Sequence, residues 1–282
     1  MCSCSGDYSV YEYAMPTDLC QYLRPVSAIN PMILRSDLRM VRYTVAISMM
    51  RDMLFAPEEW YHCLSRGVDK RTIFMEPRDY ERFQMLLYIC NSTTPIRISD
   101  LGKISGGPTL ERVLTEERGE PFVDIGAYEL MPNHYHLLLR EITKGGITSF
   151  MRKLGTGFTM FFNLKYERTG ALFSGRFKTK HIKDDNHFRR TVHYIHSNIA
   201  EIYEPRWKEG VIGNKEELRR KMLAYPYSSL PDYEGIERIE SAIINKNPVL
   251  DLLEDRPDFN ALIKDARAFY GDDAQDISQF EF

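Results

Sequence analysis

The chain has 282 residues, 43% of them apolar and 27% charged, with a formal net charge of −3. That length can bury a substantial core, and the proportions are those of a soluble globular protein, not of a disordered or fibrous one. No apolar run approaches the roughly 20 residues of a membrane span, and the near-neutral total announces no nucleic-acid binder, although binding needs only a local basic patch.

Residues 1–56 show neither helical nor strand periodicity at first, and Pro25 and Pro31 punctuate them. A stretch beginning at Ser36, a residue suited to an N-cap, has the pattern of an amphipathic helix. This N-terminal extension reads as an accessory or poorly ordered arm, or as sequence upstream of a true start at a methionine such as Met53. The five cysteines (Cys2, Cys4, Cys20, Cys63, Cys90) include no CxxC pair and no nearby His to complete a tetrahedral zinc set. They read as reduced thiols. With no basic-then-apolar leader in view, the expected location is cytoplasmic.

From Trp60 the pattern sharpens. EWYHCLSRGVDKRTIF predicts a short strand ending at a glycine turn, and EPRDYERFQMLLYICN an amphipathic helix through Tyr80, Phe83, Leu86, Leu87 and Cys90. A short helix is expected after the Gly-Gly-Pro break in SGGPTLERVLTEERGE. PFVDIGAYELM and HYHLLLRE predict neighbouring antiparallel strands across a Pro132-Asn133 turn. GGITSFMRKLGTGFTMFFNLKYERTG predicts a helix, ALFSGRFKTKHIK a strand, and DDNHFRRTVHYIHSNIAEIY a helix with an acidic start. The order makes residues 57–204 an α+β domain: a ferredoxin-like (RRM-like) split βαβ sandwich, with an antiparallel sheet and helices on its faces. Residues 205–282 form a C-terminal accessory region with a loop at YPYSSLPDYEG and helices within NPVLDLLEDRPDFNALIKDARAFYG.

Two segments carry chemistry. His134 and His136 stand two apart on a predicted strand, so both imidazoles share one face while Tyr135 points the other way. That is half of a metal site, or simply two polar residues at a strand edge. In HYIHSN, Tyr194 and Asn198 are four apart and share a helical face. A tyrosine hydroxyl beside an amide oxygen suits hard-metal phosphate chemistry, but ring packing and helix capping explain the same pair.

Between these segments the charge is segregated. Residues 140–190 hold twelve Lys and Arg against four Asp and Glu. The candidate phosphate contacts are Arg152, Lys153, Arg168, Arg176, Lys178, Lys180, Arg189 and Arg190. On charge alone a solvated face remains the alternative. Phe173, Phe177 and His181 interleave with Arg176, Lys178 and Lys180, so strand alternation would turn the aromatics toward the core and the cations outward.

AYELMPNHYHLLLR resembles the histidine–hydrophobe–histidine motif of the single-tyrosine HUH transposases, the insertion-sequence and REP-associated tyrosine transposases. The likeness continues through YHCLSRGVDKRTIF, RDYERF, GFTMFFNLKYERTGALFSGRFK, YIHSN and YPYSSL, across roughly residues 58–235. It implies that His134 and His136 hold a divalent metal (Mg²⁺ or Mn²⁺), that Asn198 is the third ligand and that Tyr194 is the nucleophile. It further implies a single-stranded or hairpin DNA substrate, a 5'-phosphotyrosine intermediate, and a cytoplasmic, nucleoid-associated setting without a membrane. Relatives work as monomers or homodimers. Ile199 follows Asn198 where relatives commonly carry proline, which leaves the helix end less sharply fixed; Phe158 stands where relatives often have tyrosine and reads as core. The remaining histidines (His62, His181, His187, His193, His196) show no metallohydrolase-like cluster. The alternative to an enzyme is a catalytically inactive DNA-binding protein that keeps the fold.

Overall fold

A computed structural model describes residues 55–101, 108–253 and 259–269, all within the unit Asp52–Phe282. The expected N-terminal extension, with its Ser36-capped helix and the thiols Cys2, Cys4 and Cys20, lies outside the described residues except for Phe55 and Ala56.

Strands β1 (Trp60–Arg66), β2 (Val123–Met131), β3 (His134–Glu141) and β4 (Lys178–His181) form one antiparallel sheet in the order β2-β3-β1-β4. Helix α1 (Pro77–Ile89) links β1 to β2, and α2 (Gly146–Lys165) links β3 to β4. The result is the expected ferredoxin-like βαββαβ arrangement. Helix α3 (Asp185–Ser197) follows β4, with Asp184 capping its N-terminus through the His187 amide. The strand expected across residues 171–183 is reduced to its last part. Gly175 takes a left-handed φ of 77° and turns the chain, leaving Phe173 only an isolated bridge to Gly67. The helix expected over 184–203 is interrupted after Ser197 and resumes at Ala200–Tyr203, although Asn198 and Ile199 keep helical angles.

Register divides the sheet into two faces. His62 pairs with Leu138 and with Lys180, Leu64 with His136 and with Lys178, and Glu129 with His136. Directly paired residues share a face, so His62, His134, His136, Leu138, Lys178 and Lys180 all project to one side. Tyr135, Leu137 and Leu139 project to the other, where they pack with Phe83 and Leu87 of α1 and Phe150, Leu154 and Phe158 of α2. Phe158 and Tyr135 are core residues, as the sequence predicts. Helix α3 covers the first face, with Phe188, Val192 and Ile195 against Trp60, Ala127 and Leu138. Burial on both faces explains the unbroken Leu137-Leu138-Leu139 run: alternation with polar residues is not needed where neither face meets water.

The turn before His134 is held from outside the hairpin. Pro132 O accepts from Ile73 N and Phe74 N at 2.8 and 3.0 Å, and Asn133 O from Gly67 N at 2.9 Å. Residues beyond 205 close the far edge of the sheet: Leu130 N donates to Tyr227 O, Ser229 N to Tyr128 O, and Tyr128 N to Ser229 Oγ. The YPYSSL segment thereby covers the edge of β2, which would otherwise present open backbone groups. No helix among the described residues is long and apolar enough to cross a membrane.

The other end of β3 is tied to α2. Buried Glu141 accepts from the amides of Gly145, Gly146 and Ile147 at 2.5, 3.2 and 2.8 Å, so its carboxylate does the capping that Gly145 cannot. Glu141→Ala should therefore cost about 2–4 kcal/mol, read as a lower urea midpoint, with Glu141→Gln retaining part of it through its amide oxygen. An unchanged midpoint in Glu141→Ala would mean that the carboxylate does not hold the helix.

Candidate metal and nucleophile site

His134 and His136 project from the start of β3 toward α3, their rings edge-to-face with centroids 4.9 Å apart. Each has its Nδ1 engaged. His134 Nδ1 lies 2.6 Å from Asn133 Oδ1, and the Asn133 amide is oriented by donation from Nδ2 to Lys70 O at 3.4 Å. That carbonyl sits in a tight loop in which Asp69 and Lys70 adopt φ of 54° and 57°. His136 Nδ1 lies 2.9 Å from His62 Nε2. His136 Nε2 is buried with no hydrogen-bond partner among the described residues. Burial pushes the His134 pKa down to about 3, with the charges of Arg66 and Lys208 adding to it. Burial also holds His136 well below the usual imidazole range, helped by His134, His62 and Lys208. Neutral rings are the form that offers a lone pair to a metal.

Tyr194 projects from α3 onto the same cluster. Its ring stands edge-on to His136 and His62, at centroid distances of 5.4 and 5.7 Å. Asn198 is the C-cap residue of α3, buried, and its Nδ2 donates to Tyr194 O at 2.9 Å. The capping reading of Asn198 is thus realised, but the bond uses the amide nitrogen, not the oxygen a metal would take. Among the described residues no group of three or more His, Cys, Asp or Glu is arranged to hold a metal. Two neutral imidazoles, one with a buried Nε2 that has no partner among the described residues, nevertheless fit the donor chemistry of a divalent cation.

A lid lies over this cluster. Phe269, on the helix at 259–269, stacks on Tyr194 with centroids 4.3 Å apart and planes 25° from parallel. The helix is tied to α3 by Asp265, whose Oδ2 accepts from Arg189 Nε at 3.0 Å and meets His193 Nδ1 at 2.9 Å. Tyr194 is 0% exposed.

The eight cations singled out in the sequence divide between the two sides of the sheet. Lys178 and Lys180 lie on β4 on the histidine face, and Arg189 and Arg190 on α3. Arg176 and Lys178 join Arg66 and Lys70 around an open groove of about 540 Å³ at the end of β1. By contrast, Arg152 and Lys153 lie on α2, which packs behind the sheet; Lys153 Nζ donates to Ser92 O at 3.0 Å and sits over the Phe122 ring. Arg168 binds Asn163 Oδ1 at the end of α2, at 2.9 Å. Phe173 and Phe177, which precede β4, pack toward the α1–α2 core, whereas His181, expected to turn inward with them, is exposed with its Nε2 3.0 Å from Glu59 Oε2.

Sequence reasoning missed His62, Phe269 and Asp265. His62 was legible only as one alternating residue of a strand; its place beside His136 depends on the pairing of β1 with β3, 74 positions away in sequence. Phe269 and Asp265 carry no local signal. Asp265→Ala should loosen the 259–269 helix, raising hydrogen exchange of its amides while β3 stays protected. Unaltered exchange at 259–269 would show that the Asp265 contacts do not hold the lid.

No curated protein matches the chain. A solved structure of a REP-associated tyrosine transposase bound to a REP hairpin overlaps 66% of this chain and 86% of that chain, at 13% identity and a TM-score of 0.40. Residues 107–198 match the family model described as "Transposase IS200 like". The matched segment spans β2 to α3 and contains His134, His136, Tyr194 and Asn198, and across it the chain is similar to the IS200-like transposases.

Proposed function

We propose that the protein is a metal-dependent DNA transposase or endonuclease that cleaves and rejoins single-stranded or hairpin DNA, with Tyr194 as nucleophile and His134, His136 and Asn198 as the ligands of Mg²⁺ or Mn²⁺. The observation that carries this reading is the meeting of the His136 and Tyr194 rings, 5.4 Å apart on two separate elements, within the segment that matches the transposase family.

A tyrosine hydroxyl, with an ordinary pKa of about 10, is a weak nucleophile at neutral pH. A metal held by the two imidazoles and the amide oxygen would polarise the scissile phosphate and neutralise its developing charge. Tyr194 Oη forms a bond to phosphorus as the bond from phosphorus to the 3'-oxygen breaks. The phenolic proton is given up, and the departing oxygen takes a proton to become a 3'-hydroxyl. The phosphodiester count is unchanged, so attack by another 3'-hydroxyl reverses the step and joins a new strand without a nucleotide cofactor. In this reading Arg176, Lys178, Lys180, Arg189 and Arg190 draw the DNA backbone toward this face, whereas Arg152, Lys153 and Arg168 would meet only DNA that passes behind the sheet. Of the two biological roles, processing of genomic palindromes by a REP-associated enzyme is preferred to mobilisation of an insertion sequence, because of the long region after residue 205.

Complete burial of Tyr194 beneath Phe269 favours a second reading, a DNA-binding protein that retains the fold without the chemistry. One assay separates the two. Incubated with labelled single-stranded hairpin DNA and Mn²⁺, the full-length protein should yield a DNA adduct that survives SDS. Tyr194→Phe and His136→Ala should each abolish it without abolishing binding. Retained binding with no adduct in the wild type supports the second reading, and an undiminished adduct in Tyr194→Phe rules out Tyr194. Lys178→Ala and Lys180→Ala should each weaken binding and lower the slope of log affinity against log salt by about 1; an unchanged slope would remove β4 from the DNA contact.

A further inference from the structure

His62 has no part in the proposed ligand set, yet it is wholly buried and touches one of the ligands. From its place opposite Leu138 it projects to the same face as His136, one step along β1. The two rings lie within 26° of parallel, with centroids 5.1 Å apart and 2.9 Å between His62 Nε2 and His136 Nδ1.

Only one proton can occupy the line between those nitrogens. If His62 supplied it, neutral His136 would carry its own proton on Nε2, and that atom is a buried donor with no acceptor, a costly arrangement. If His136 Nδ1–H donates to His62, the buried Nε2 is a bare lone pair turned to a place where the described residues supply no hydrogen. The second ligand makes the same choice independently. Asn133 Oδ1 can only accept, so His134 must carry its proton on Nδ1 and leave Nε2 as the donor atom for a cation. The two ligands are therefore locked in matching states by two different partners: an amide from the gripped turn for His134, and an imidazole from the neighbouring strand for His136.

We propose that His62 is a positioning residue that fixes the tautomer and ring orientation of His136 so that its Nε2 faces the metal. This rests on the metal reading under Proposed function. Binding of a cation at Nε2 makes Nδ1–H more acidic and strengthens its bond to His62, the outer-shell coupling usual for metal-bound histidine. Coordination through His62 Nε2 is a separate arrangement, since that atom receives the His136 hydrogen.

The test uses full-length protein and Mn²⁺ alone. Loss of the free Mn²⁺ EPR signal gives the affinity, and pulsed EPR counts the directly bound imidazole nitrogens. His62→Leu should weaken Mn²⁺ binding 10–100-fold. His62→Gln, whose amide oxygen can accept from Nδ1–H, should recover most of that loss. Both variants, like the wild type, should show two bound imidazoles. Unchanged affinity in His62→Leu, equal weakening in His62→Gln, or three bound imidazoles falling to two would each overturn the proposal, the last by making His62 a ligand. A folded wild type that binds no Mn²⁺ would instead overturn the metal reading and the role of His62 with it. Should His62→Leu melt early, His62→Met is the apolar replacement to compare with His62→Gln.

Discussion

A buried imidazole needs an answer for each of its nitrogens, and His136, fully buried, has one answered by His62 and the other by nothing among the described residues. That imbalance is tolerated because the surroundings leave the ring no other pose. β3 is paired on both sides, by β1 and β2. The turn before it is gripped by three backbone hydrogen bonds from residues 67–74. Its far end is pinned by Glu141 into the start of α2. A strand fixed at both ends and both edges can hold an unsatisfied lone pair in place for a ligand, where a mobile segment would turn the ring away.

The two faces of the sheet divide the labour. Behind it, α1 and α2 build an aromatic-rich core around Phe83, Phe158 and Tyr135 that contains no candidate site residue except the rear-facing cations. In front, α3 brings Tyr194 to the histidines, and the helix at 259–269 closes over them through Phe269 and Asp265. Apolar packing of Phe188, Val192 and Ile195 sets the height of α3 above the sheet, so the distance from Tyr194 to His134 and His136 is decided by core residues. The helix at 259–269 is held differently, by a stacked ring and a shared carboxylate.

Much of this was legible in the sequence, for a physical reason. His134, His136, Tyr194 and Asn198 lie within periodic segments where spacing alone dictates a shared face, two apart on a strand and four apart on a helix. The strands and long helices followed from the same periodicities. What was hidden depends on register and tertiary approach. His62 acquires meaning only once β1 is set against β3, and Phe269 only once a helix 75 positions beyond Tyr194 folds back onto it. The division of the basic window between the two faces was hidden for the same cause. Linear density of charge cannot show that Arg152 and Lys153 leave on a helix behind the sheet while Lys178 and Lys180 stay in front. The shortened β4 reflects Gly175, whose left-handed φ ends pairing that the flanking aromatics suggested.

The metal pair, the tyrosine and the lid belong to one reaction only if the tyrosine itself takes up DNA. The most direct measurement is mass spectrometry of full-length protein incubated with single-stranded hairpin DNA and Mn²⁺, then digested with nuclease and trypsin. Tyr194 and Tyr203 fall in one tryptic peptide, residues 191–206, and fragmentation separates them. A nucleotide mass on Tyr194 is the predicted result; an unmodified Tyr194, or the mass on Tyr203 or any other tyrosine, contradicts it.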